Sequence, residues 1–134
     1  NGIIEKFPNV DFNLHVCGGN AHRKRGFFGK YTDMIEAFKI LKVDEIHLEH
    51  CSLHYTMLDV FNDWKFDGKV SLGVIDQRID NTETEEDIIK AIKPALEYFP
   101  KDKILLTSEC GFGHVPIDIV KNKIKMLVAT AKKL

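Results

Sequence analysis

The chain has 134 residues, with 19 Lys and Arg against 20 Asp and Glu and a formal net charge of −1, so it has neither the basic footprint of a nucleic-acid binder nor a polybasic membrane patch. A hydrophobic fraction of 44% is ordinary for a globular domain with one core, and no apolar run approaches the roughly 20 residues of a membrane span. Three cysteines, Cys17, Cys51 and Cys110, are an odd number without framework spacing, which argues against a secreted disulfide scaffold and predicts a reducing, cytoplasmic setting.

The start, Asn1-Gly2-Ile3-Ile4-Glu5, has no signal-peptide character and no initiator Met, so a trimmed chain or a piece of a longer one is expected. Residues 10–17 read as a strand. Residues 32–42 read as a helix with Met34, Ile35, Phe38 and Leu41 on one face. A second strand is predicted over 44–51, a short helix over 55–64 and a third strand over 69–76. Thr84 opens a helix through residue 99, with an acidic first turn at Glu85, Glu86 and Asp87 that suits the helix dipole and a kink at Pro94. A fourth strand is predicted over 103–109. From Pro116 a last helix runs to Leu134, with Ile117, Val120, Ile124, Leu127 and Ala131 on one side. Trp64 and the phenylalanines read as core.

Strand–helix alternation predicts βαβ units and a parallel sheet. Four units are half of an eight-unit barrel, which typically needs about 250 residues, so the choice is a small open α/β sheet or a half-barrel. The strand pattern decides between them. In residues 10–17 apolar and polar side chains alternate, and Ile46 and Leu48 share one face of the second strand. Helices must cover the apolar face. Asp11, Asn13, His15 and Cys17 then point to the other side, with His47, Glu49 and Cys51. A doubly wound sheet would be apolar on both faces. The reading is therefore one α/β domain over residues 1–134, a parallel (β/α)4 half of a TIM barrel with its site at the strands' C-terminal ends.

His15 and Cys17 are two residues apart on a strand, which puts both on one face about 6.5 Å apart. Such a pair is a common start for a zinc site. Glu49 shares their face from the next strand. Cys110 ends the fourth strand, in Glu109-Cys110-Gly111-Phe112-Gly113, where glycines let the backbone turn. Two thiolates, an imidazole and a carboxylate make four zinc-competent ligands. The same residues also allow a bland reading, with inert buried cysteines, hydrogen-bonded histidines and Glu49 paired with Arg or Lys. Spacing leaves Cys51 as a rival to Cys110, with His50 and His54 flanking it. His22, Arg23, Lys24 and Arg25 form a basic loop, either simply solvated or an anion contact for a phosphate or a folate glutamate tail.

The motifs His15-Val16-Cys17-Gly18-Gly19-Asn20, Ile46-His47-Leu48-Glu49, Leu72-Gly73-Val74-Ile75-Asp76 and Glu109-Cys110-Gly111-Phe112-Gly113 come in the order of the cobalamin-independent methionine synthase family. From residue 10 onward the chain resembles that family's C-terminal catalytic domain, a uroporphyrinogen decarboxylase/methionine synthase-type TIM barrel, and most of all its short single-barrel relatives. The resemblance implies zinc held by His15, Cys17, Glu49 and Cys110, and favours Cys110 over Cys51. It implies a methyltransferase of methionine biosynthesis, in which zinc holds homocysteine as its thiolate; a free thiol has a pKa near 8.5 and zinc deprotonates it. The methyl donor stays open among methyltetrahydrofolate, methylcobalamin and a corrinoid protein. Asp76 and Arg78 become catalytic candidates. Arg78 stands where the large enzymes have a proton-donating His; since Arg does not release a proton, it is read as an anion or carboxylate anchor. His47, Asn20 and His114 become second-shell or substrate-facing candidates.

Two further departures are Gly18, where many short relatives have Arg, and the residues for the amino-acid part of homocysteine, which the family keeps upstream of the His-x-Cys motif. The last helix reads as a natural C-terminus, so the missing part is expected to be N-terminal. Two other functions fit the same residues. One is thiol addition to another electrophile, such as an epoxide. The other is a catalytically silent zinc-binding half that self-associates or pairs with another chain through its open sheet edges.

Overall fold

The structure is a computed structural model that describes residues 1–53 and 57–134. The first strand, β1 (Asn13–Val16), is followed by a two-strand hairpin, β2 (Asn20–Ala21) with β3 (Lys24–Arg25). A 3-10 turn at Tyr31–Met34 leads into helix α1 (Ile35–Lys39), and then comes β4 (Glu45–Glu49). The helix predicted over 55–64 is reduced to α2 (Val60–Asp63); His54 and the first two residues of that prediction lie outside the described residues. Next come β5 (Lys69–Ile75), α3 (Glu85–Ile92), β6 (Ile104–Ser108) and α4 (Ile117–Ala131).

The four long strands form one parallel sheet in the order β1-β4-β5-β6, so each strand lies beside its successor, as four consecutive βα units require. The sheet is not closed. β1 and β6 are its edges. The predicted alternation holds in register. Leu14 pairs with Ile46 and Val16 with Leu48, while His15 pairs with His47. The first set packs on the helices, in a core with Val70, Leu72, Val74, Phe38, Phe61, Ile88 and Ala91. Trp64 stacks on Phe38 and Phe61, and Phe99 meets Phe61 edge-on. The other face is polar: Asn13 donates to Glu45 at 2.5 Å, and Ser71 also donates to Glu45.

Local chemistry sets the ends of α3. The Thr84 hydroxyl accepts from the Asp87 amide, and the Asp87 carboxylate accepts from the Thr84 amide, a reciprocal cap on an acidic first turn. At Pro94 the helix does not kink and continue. It tightens into a 3-10 turn at Lys93–Glu97, because proline has no amide to donate to the helical ladder.

Two expectations are corrected. The apolar side of α4 read from the sequence is only partly inward: Leu127 packs on the core, but Ile117 is 63% exposed and Ile124 44%, while Lys123 is fully buried. Lys123 Nζ bonds both oxygens of Glu83 at 2.9–3.0 Å and the Asn81 carbonyl at 2.6 Å. That tertiary pairing outweighs the helical pattern. Phe7, Phe27 and Phe28 are exposed instead of core; they lie at the N-terminus and after the β2–β3 hairpin.

Candidate metal centre

β1 and β6 lie three strand spacings apart, about 14 Å in a flat sheet at about 4.8 Å per strand. Yet the sulfurs of Cys17, just after β1, and Cys110, just after β6, are 3.9 Å apart. The sheet curls toward its polar face and side chains from both edges converge. A ring nitrogen of His15 joins the two sulfurs, and all three atoms lie within 4.8 Å of one another. These residues were singled out from sequence, and together they could hold a metal ion.

The surroundings suit metal ligands. Burial keeps the His15 imidazole below its usual pKa despite Glu49 nearby, so it is neutral at neutral pH. His15 Nδ1 meets His47 Nδ1 at 2.9 Å, and His47 Nε2 meets the Ser108 carbonyl at 2.8 Å. This chain orients the first imidazole from behind, as ligating histidines are held. The Gly19 amide donates to Cys17 Sγ at 3.4 Å. Burial pushes the Cys110 thiol up, opposed by backbone N–H groups of Gly111 and Asn20 directed at its sulfur.

Glu49 is placed differently. Its fully buried carboxylate accepts from the Gly18 amide at 2.9 Å, from Asn20 Nδ2 at 3.1 Å and from Ser52 Oγ at 3.4 Å. Arg25 lies 3.5 Å away and Arg78 3.9 Å. It therefore stands beside the three grouped ligand atoms, within a network of opposite charges. Asp76 holds Arg78 at both ends, accepting from its amide, Nε and Nη2 at 2.8–2.9 Å. Burial acts against the Asp76 charge, yet these bonds keep its carboxyl below the usual range and the guanidinium above its own.

Sequence reasoning missed Glu109 as more than a motif letter. It is fully buried and accepts from the amides of Ser52 at 2.5 Å and His50 at 3.2 Å, and from Arg78 at 3.4 Å. Burial raises its carboxyl. Nothing in the local sequence marks these contacts, which span more than 30 residues. A Cβ at Gly73 would sit 2.6 Å from the Glu109 Cα and 2.9 Å from the Leu48 carbonyl, so only glycine lets β6 approach here.

Cys51 is not in the cluster. Burial and Glu109, to which it is hydrogen-bonded, push its thiol up, which makes it a poor ligand or nucleophile. Of the basic loop, Arg23 pins the hairpin to the segment after β5, bonding the carbonyls of Gln77 and Arg78 at 3.0–3.1 Å and the Asp80 carboxylate at 2.5 Å. Its turn holds His22 and Arg23 at positive φ, which β-hairpins usually give to Asn or Gly. His22 stacks on His114 at 4.4 Å.

Residues 8–133 match the family model described as "Cobalamin-independent synthase, Catalytic domain". The methionine synthase of Saccharolobus solfataricus is 27% identical over 127 residues, 95% of this chain and 35% of that protein. The methionine synthase of Sulfolobus acidocaldarius is 29% identical over 123 residues, 92% of this chain and 33% of that one. The chain thus spans about a third of the length of these curated relatives. A B12-independent methionine synthase from Shewanella sp. W3-18-1, solved in complex with selenomethionine, superposes with a TM-score of 0.77 at 22% identity, covering 93% of this chain and 38% of that one. That likeness carries the fold. Among the described residues no helix is long and apolar enough to cross a membrane.

Proposed function

This chain belongs to the cobalamin-independent synthase family, within its catalytic domain, and on that premise we propose that it is the zinc-holding portion of an enzyme that moves a methyl group to the thiol of homocysteine. The observation that carries this reading is the convergence of His15, Cys17 and Cys110 within 4.8 Å. Two sulfurs and a neutral imidazole, with the Glu49 carboxylate beside them, are a donor set of the kind zinc takes. When bound, zinc supplies a Lewis acid that keeps a substrate thiol deprotonated at neutral pH.

The residues of the chain do the rest. His47 holds the His15 ring through its second nitrogen. Gly18, Asn20 and Arg25 fix Glu49 beside the cluster, and its carboxylate would be the fourth ligand to a bound zinc. Asp76 and Arg78 act as a pair that sets the charge balance around Glu49 and Glu109; Arg78 has no proton to release and anchors anions. The archaeal relatives are methionine synthases by name, which favours homocysteine as the thiol and leaves the methyl donor open. Because the chain spans about a third of those relatives and its two sheet edges are unpaired, turnover calls for the rest of a barrel around this portion.

The test is zinc content of the purified chain after dialysis, read by plasma mass spectrometry, with two variants. About one zinc per chain is expected. Cys110→Ser should weaken zinc binding by at least about 100-fold, since even outer partners of a ligand are worth 10–100-fold. Cys51→Ser should leave it within about twofold. Loss of metal in Cys51→Ser with retention in Cys110→Ser would overturn the ligand set.

A further inference from the structure

We propose that Cys17 and Cys110 are also a redox-modification site: when no metal lies between them, a two-electron oxidant joins their sulfurs in a disulfide that ties the two outer strands together. The sulfurs are 3.9 Å apart, and a disulfide bond is about 2.05 Å long, so closure needs a movement of about 1.9 Å. The Cys110 side has room to move: it is followed by Gly111, where a Cβ would meet nothing within 4 Å, whereas after Cys17 the backbone is held, Gly18 packing on Arg25 and bonding Glu49 through its amide. Both thiols are partly exposed and so within reach of a small oxidant, and neither has another cysteine as a partner.

Cys51 is the built-in control. It is hydrogen-bonded to Glu109 and stands outside the group of His15, Cys17 and Cys110.

With hydrogen peroxide the step balances. One thiolate attacks a peroxide oxygen, the O–O bond breaks, and hydroxide leaves as that sulfur becomes a sulfenic acid. The second sulfur displaces the hydroxyl, which departs as water, and the S–S bond forms. Two thiols and one peroxide give one disulfide and two waters, with two electrons passing from sulfur to oxygen.

The experiment treats the chelator-stripped chain with one equivalent of hydrogen peroxide, then counts free thiols after unfolding and maps cross-linked peptides by mass spectrometry. The expected result is a fall from three free cysteines to one, with the Cys17 and Cys110 peptides joined within one chain. In Cys51→Ser the count should fall to none. Three thiols persisting, a bridge that includes Cys51, or a bridge only between chains would overturn the proposal. A parallel arm with excess zinc should slow the bridge by more than about tenfold, since a coordinated sulfur is withheld from peroxide. That arm alone rests on the zinc reading. A bridge that forms equally fast with zinc sinks the zinc site and leaves the disulfide standing. A chain that holds zinc but forms no bridge without it does the reverse.

Discussion

Two clusters meet at the C-terminal end of the sheet, and they are built on opposite principles. His15, Cys17 and Cys110 are partly open, with uncharged imidazole and few protein partners. Glu49, Glu109, Asp76, Arg78 and Arg25 form a buried lattice in which each carboxylate has several donors. It extends through the Asp76 amide, which donates to Glu83, to the buried Lys123 on α4. The lattice is satisfied by the protein itself, whereas the open cluster is left to be satisfied by something else. Stability and metal affinity should therefore separate between the two.

The largest expected effect breaks the lattice. Lys123→Met leaves the Glu83 carboxylate buried without its cation and should cost about 3–5 kcal/mol, read as the denaturant midpoint; a loss below about 1 kcal/mol would mean that the lattice is not what holds this end. Cys110→Ser should do the opposite. Its metal-free stability should stay within about 1 kcal/mol of the parent, while its zinc affinity collapses; equal losses in both would merge the clusters. Gly73→Ala lies between them. Its Cβ has no room against the Glu109 backbone, so a cost of about 1–3 kcal/mol is expected, with β6 and Cys110 pushed away from β1 and zinc weakened in proportion.

The smallest effect is a pH slope. Burial depresses the imidazoles of His15, His47 and His50. Below about pH 6.5 the unfolded chain takes up protons that the folded chain resists. Stability should be full above that value and fall as pH drops through the lower, folded values. Urea midpoints from pH 7.5 to 5.5 would show it, and His50→Asn should flatten the slope. A midpoint that rises on acidification would contradict it.

The His15–Cys17 part of the open cluster was legible in the sequence because its signal is local, whereas spacing left Cys51 open beside Cys110 and only the family resemblance chose between them. Period-2 alternation put His15 and Cys17 on one face, and the parallel register set His15 beside His47. Most of the lattice was not legible, because apart from the local Asp76–Arg78 and Glu49–Ser52 contacts its bonds join residues far apart. Lys123 interrupts an apolar helix and reads as solvent-facing until Glu83, 40 residues away, is seen beneath it. Arg25 reads as one charge of a basic run until it is found 3.5 Å from Glu49. The β2–β3 hairpin carries no Asn-Gly or Asp-Gly signature, so it passed as a loop.

The convergence of Cys17 with Cys110 also fixes an order of events. The two are separated by 93 residues, a long loop to close, and closing it gains little until the strands between are aligned. On the zinc reading, metal capture would then be the last step of assembly. A chain that has not yet docked β6 lacks Cys110 and presents an incomplete ligand set, so the rate of zinc uptake by refolding chains would be a clock for completion of the sheet.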